Sequence, residues 1–157
     1  MWTWRICRKN RTASDGEGAR LYGGRWNHRG VRVVYTSATL SLAALERFVN
    51  ADPVTEPDDL VALSAEVPDR LHVEAIELAR LPGNWRAYPP PDALQDLGDE
   101  WIRSGRSPVL AVPSAVIPTE RNYLLNPLHS DFRHVRFADP DPFRFDPRMW
   151  KSSKTRR

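Results

Sequence analysis

Five glycines fall within residues 16–30, and so few side chains let the backbone turn tightly and approach a ligand or another segment where a Cβ would collide. Residues 16–46 read GEGARLYGGRWNHRGVRVVYTSATLSLAALE. Arg25 leaves the glycine turn beside Trp26 and Asn27. Residues 31–35 alternate well enough for a half-buried strand. Ser37 or Thr39 is placed to cap a helix whose apolar residues are Leu42, Leu45, Phe48 and Val49. Glu46 lies on that helix beside the apolar stripe. A loop, a strand end and a helix thereby deliver a guanidinium, the Tyr35 phenol and a carboxylate to the neighbourhood of one pocket.

Around this stretch the pattern is mostly extended. Residues 2–7 alternate with period two, predicting a first strand with Trp2, Trp4 and Ile6 toward a core and Arg5 on the other face. The helix carrying Glu46 should fade near Asn50, because Pro53 disfavours helix just before it. Residues 60–67 read as a strand with Val61, Leu63, Ala65 and Val67 on one face. Residues 71–78 suit a strand or a short helix equally. A proline-rich loop over 81–91 has Trp85 and Tyr88 to pin it to the body. Asp92 offers an N-cap with Gln95 three residues on, ahead of a stripe of Leu94, Leu97, Trp101 and Ile102 that Gly98 weakens. Residues 109–112 predict a central strand delivering Ser114, residues 118–129 an irregular segment, and residues 134–137 and 142–145 closing strands. Strands outnumber helices without alternating regularly with them, which predicts an α+β domain: a mixed β-sheet core with flanking helices.

The chain's 157 residues, 41% of them apolar, suffice for one core, so a single domain over 1–150 is expected, followed by a basic, disordered tail over 151–157. The net charge is +3, and the tail carries four positive charges; removing those four leaves the body at −1. Basicity therefore belongs to the tail, and direct nucleic-acid binding is not expected of the body. Cys7 has no partner for a disulfide, and His28, His72, His129 and His134 show no ligand spacing, so no metal site is expected. No run approaches the ~18–20 apolar residues of a membrane span, and no secretion signal opens the chain, which together predict a cytoplasmic protein. A dinucleotide fingerprint, a phosphate loop and a G-x-S-x-G elbow are all missing.

Taken singly, Arg25, Tyr35 and Glu46 read adequately as a surface charge, a sheet-edge phenol and half of a helix ion pair. Ser114 reads as the start of a turn, and Asn122, Asn126 and His129 as loop-stabilising side chains. The long ordered motifs add more. The 16–46 stretch, SGRSPVLAVPSAVIPTERNYLLNPLHSDF over 104–132 and PFRFDPR over 142–148 closely resemble the RES-domain family of bacterial toxins, named for an arginine, a glutamate and a serine. The matching positions are Arg25 in GGRWN, Tyr35 in VVYTS, Glu46 in AALE, Ser114 in VPSAV, and Asn126 and His129 in LLNPLH.

The resemblance implies an ADP-ribosyltransferase-like fold, NAD as a consumed substrate with no prosthetic group, and an Xre-like antitoxin that blocks the site. It also implies a homodimer or a toxin-antitoxin hetero-oligomer. Glu46 would stabilise positive charge on the ribose, Arg25 and the Gly24 turn would hold the pyrophosphate, and Tyr35 would stack on nicotinamide or orient the ribose. Trp26, Asn27, Ser114, Asn126 and His129 complete the expected NAD-binding set. The acceptor stays open: water gives an NAD glycohydrolase, phosphate an NAD phosphorylase, and a protein side chain a mono-ADP-ribosyltransferase. Two other classes make different predictions. A nucleic-acid-binding module would depend on the tail, and a structural protein would bury Arg25 and Glu46 as an ion pair.

Overall fold

The computed structural model of the chain describes residues 1–52 and 54–150, so the basic tail lies outside the described residues. In chain order the elements are strand β1 (Trp2–Arg8), helix α1 (Glu17–Tyr22), β2 (Val34–Ser37), α2 (Leu40–Phe48), β3 (Leu60–Glu66), β4 (Val73–Ala75), α3 (Asp92–Ser104), β5 (Val109–Pro113), β6 (Arg121–Leu125), β7 (Arg136–Phe137) and β8 (Asp141–Pro142). One sheet runs β4-β5-β6-β2-β1-β3-β7, with β8 also paired to β3. The β4–β5 pair is parallel and the others antiparallel, which makes the sheet mixed.

Two clusters fill the two faces. Leu110, Val112 and Leu124 meet Trp26, Val33 and the α3 residues Leu94, Trp101 and Ile102 on one side. Val109 and Leu125 meet Val34, Ala65, Val67 and Leu71 on the other. Strand β5 is buried along its whole length because it supplies both clusters, which explains its unbroken apolar run. The Trp101 indole donates to the buried Ser107 hydroxyl at 2.8 Å, and α3 ends on left-handed Gly105.

Several expectations need correction. Thr3 and Cys7 are the buried side chains of β1, while Trp2 is 55% exposed and Trp4 and Ile6 border a cleft. Alternation separates two faces of a strand but does not say which one the core covers. Residues 118–129 are not wholly irregular, since they contain β6, an internal strand. Its alternation is masked because Asn122 points a polar group at the cleft. The glycine stretch contains the helix α1, and β2 begins only at Val34. The closing strands shrink to two residues each, with a 3-10 turn over Ser130–His134. Residues 71–78 supply the short strand β4. Thr39 caps α2, accepting from the Leu42 amide at 3.0 Å, while Ser37 is used elsewhere. Asp92 is the first residue of α3 and Pro91 its N-cap, and Gln95 reaches out of the helix instead of closing a capping box.

Candidate active site

The turn bearing Arg25 is fixed from every side. The Gly24 amide donates to the Asn27 carbonyl at 3.0 Å, so Arg25 and Trp26 occupy its tip. The fully buried Asn27 amide lies 2.9–3.1 Å from the carbonyls of Ala19, His28 and Val31. Its Oδ1 accepts from the Tyr35 hydroxyl at 2.7 Å, and that hydroxyl accepts from the Trp26 amide at 3.0 Å. From α3, Gln95 Nε2 donates to the carbonyls of Gly24 (3.0 Å) and Asn27 (3.2 Å). Buried Asp99 accepts from the His28 amide at 3.1 Å and pairs with His28 Nδ1 at 2.9 Å. Two glycines permit this closeness. A Cβ on Gly24 would lie 2.6 Å from Tyr35 Oη, and one on Gly98 would lie 1.8 Å from the Trp26 carbonyl oxygen.

Burial pushes the Tyr35 phenol far above its ordinary value, so it is a fixed neutral strut at physiological pH and not a proton carrier. Tyr35→Phe leaves the Trp26 amide and Asn27 Oδ1 unpartnered, at a cost of about 1–3 kcal/mol for each group that stays dry. Thermal unfolding should show a clearly lowered Tm; an unchanged Tm would mean the phenol does not brace the turn.

Arg25 extends from the tip so that Nη1 donates to the carbonyls of Trp85 (2.7 Å) and Ala87 (3.1 Å). The proline-rich loop thus serves as its rest. Partial burial draws the guanidinium below its usual pKa, nearby Glu46 and Tyr35 oppose this, and Arg86 adds to it. Arg86 stands on the same cleft, its Nε bonded to the Ala115 carbonyl at 2.9 Å. Two guanidiniums close enough to repel, with donors left over, make a place for an anion.

Glu46 rises from α2 on the same cleft. Its Oε1 accepts from the Ser114 hydroxyl at 2.7 Å and from Asn122 Nδ2 at 2.6 Å. Among the described residues Oε2 accepts no hydrogen bond and is not sealed in, so it faces the cleft. Ser114 itself is fully buried and accepts from the amides of Val116 (3.1 Å) and Ile117 (2.9 Å). Its single proton is given to Glu46. Among the described residues neither Arg25 nor Glu46 forms a salt bridge, contrary to the structural-protein alternative. The cleft holds about 1550 Å³ and is lined by Gly24, Arg25, Tyr35 and Glu46 together with Ser37, Arg86, Gln95 and Asn122.

Five residues of the expected binding set do not line it. Trp26 and Asn27 belong to the turn itself and are buried, and Ser114 has no proton left for a ligand. Asn126 bonds the Leu128 amide and the α3 carbonyl of Ile102, and His129 Nδ1 accepts from the Asp131 amide. Asn126 therefore ties the exit of β6 to α3, while His129 makes only a local side-chain-to-backbone bond. Ser37, Arg86, Gln95 and Asn122 were missing from the expected set. Asn122 follows Arg121 in a strand that turns apolar only toward its end, so no local pattern singled out any of the four.

The sequence profile of the RES domain matches residues 3–146. The chain belongs to the RES-domain family. Its RES relatives include "Toxin Res" of Yersinia enterocolitica, 38% identical over 152 residues that span 95% of this chain and 99% of that protein. Another is the "Prs ADP-ribosylating toxin" of a Sphingobium strain, 36% identical over 93% of this chain and 94% of that one. Among solved structures, a chain of the M. tuberculosis MbcT-MbcA toxin-antitoxin complex superposes with a TM-score of 0.73 at 17% identity, covering 90% of this RES chain and 83% of that one. At such identity the likeness bears on the fold, and the α+β architecture is the ADP-ribosyltransferase-like one expected. No helix among the described residues is long and apolar enough to cross a membrane.

Proposed function

We propose that this RES-family chain is the toxin of a toxin-antitoxin pair and that it cleaves the bond between nicotinamide and ribose in NAD. The observation that carries the reading is a carboxylate fixed by two donors through one oxygen, with the other oxygen facing a cleft that also holds Arg25 and Arg86. As the C1′–N bond breaks, nicotinamide departs with the bonding electrons and becomes neutral, so no proton donor is needed. Positive charge develops on the ribose, where Glu46 Oε2 stabilises it. Arg25 Nε and Nη2, with Arg86 opposite, hold the pyrophosphate, and the Tyr35 ring walls the pocket. NAD is a substrate here, consumed at each turnover.

The ADP-ribosyl group then goes to an acceptor. We assign a small one, water or phosphate, which makes the protein an NAD glycohydrolase or phosphorylase. The name of the Sphingobium relative supports a second reading, mono-ADP-ribosylation of a protein. An Xre-like antitoxin would cover the cleft, in a hetero-oligomer built on the toxin or its homodimer, and the reaction would run in the cytoplasm on the cellular NAD pool. Expressing the chain alone should arrest bacterial growth and deplete NAD, and Arg25→Ala should abolish both. A stably folded Arg25→Ala variant that remains fully toxic would remove Arg25 from the mechanism.

A further inference from the structure

We propose that Asn122 is a positioning residue that holds the Glu46 carboxylate in its working orientation, and that Ser37 fixes the direction of the Asn122 amide. The inference rests on the role given above to Glu46. Three ladders set the geometry: Trp4 pairs with Ser37, Ser37 with Asn122, and Asn122 with Val112. Directly opposed residues share a face, so the amide stands on the cleft side of the sheet's middle strands.

A side-chain amide can face either way. A carboxylate only accepts hydrogen bonds, so the amide must present its NH2 group to Glu46, and Nδ2 lies 2.6 Å from Oε1. That leaves Oδ1 toward Ser37, a buried residue whose hydroxyl donates to it at 2.7 Å. The donors therefore run in one sense, Ser37 to Asn122 to Glu46, and Ser114 closes on the same oxygen from the other side.

The consequence concerns Arg25. It attracts Glu46 across the cleft, yet the two form no salt bridge. A carboxylate on a flexible side chain beside a guanidinium would ordinarily close the gap. The two donors on Oε1, one from β6 and one from the end of β5, restrain it. Without Asn122 the carboxylate is free to turn toward Arg25, and both charges are then lost to the substrate.

The experiment measures kcat and KM for nicotinamide release from NAD with the wild-type protein and with Asn122→Ala, Asn122→Asp, Ser37→Ala and the Ser37→Ala/Asn122→Ala double variant, alongside the Tm of each. Asn122→Ala should lower kcat by about 10- to 100-fold, the range typical when an orienting partner is lost, with KM changed much less. Asn122→Asp keeps the shape and loses the donor, so it should fall as far; it serves if the alanine variant does not fold. Ser37→Ala should cost less, and the double variant should be no worse than Asn122→Ala alone, because Ser37 acts through the amide. Wild-type kcat in folded Asn122 variants, or multiplied losses in the double variant, would overturn the assignment while leaving NAD cleavage standing. A wild-type protein that releases no nicotinamide would overturn the NAD reading and this role with it.

Discussion

Replacing Glu46 with glutamine is expected to cut nicotinamide release by about 100- to 1,000-fold with the fold retained. Glutamine has the same shape, and its carbonyl oxygen can accept the same two bonds from Ser114 and Asn122. What disappears is the negative charge that, on the proposed mechanism, Oε2 would present to the ribose. At about 1.4 kcal/mol per tenfold change in rate, the loss is roughly 3–4 kcal/mol of transition-state stabilisation. Since the packing is preserved, the Tm should scarcely move. A folded Glu46→Gln variant within tenfold of wild type would show that the charge does not act on the reaction.

Gly98→Ala should be the most destabilising conservative change in the chain. Helix propensity alone favours alanine by about 1 kcal/mol at an interior position of α3. The added methyl, however, would stand 1.8 Å from the Trp26 carbonyl oxygen and 2.8 Å from its carbon, both backbone atoms that cannot swing away. The helix has to lift off the turn, which disturbs Trp26 against Leu94 and Trp101 and pulls Gln95 and Asp99 from their partners. Overpacking costs about 1–3 kcal/mol even where side chains can adjust, so the net effect should reach about 3 kcal/mol and should also reduce activity through Arg25. Urea unfolding measures it. An unchanged or higher midpoint would mean that α3 and the Arg25 turn are not in the contact described.

Gly98 also illustrates what the sequence reveals and what it conceals. Read along the chain it is a flaw in a helix, because its function is to admit the backbone of Trp26 from 72 positions away. The helix itself was legible from Leu94, Trp101 and Ile102, and β5 from its apolar run, since periodicity and length are local signals. Arg25, Tyr35 and Glu46 were also legible as candidates for one pocket, and all three line the cleft.

The roles of their neighbours were not legible. Ser114 and Asn126 each contribute a side chain that could touch a ligand or the protein, and only the three-dimensional partners show that they bond within the protein. Asn122 and Ser37 looked like loop and cap residues because their contacts span 76 and 85 positions. The choice of face on β1 was likewise settled by tertiary packing: Trp4 shares the cleft side with Ser37, Asn122 and Val112, while Thr3, paired with Ala65, is buried on the opposite side.

The most direct measurement incubates the purified protein, free of any antitoxin, with NAD in buffer, with added phosphate and with cell lysate, and follows nicotinamide together with the ADP-ribosyl product by chromatography. Nicotinamide release is expected, with free ADP-ribose or its phosphorylated form as the partner product. Release only on transfer of label to a lysate protein would replace the small acceptor by a protein one. No nicotinamide from folded protein in any mixture would contradict NAD cleavage outright.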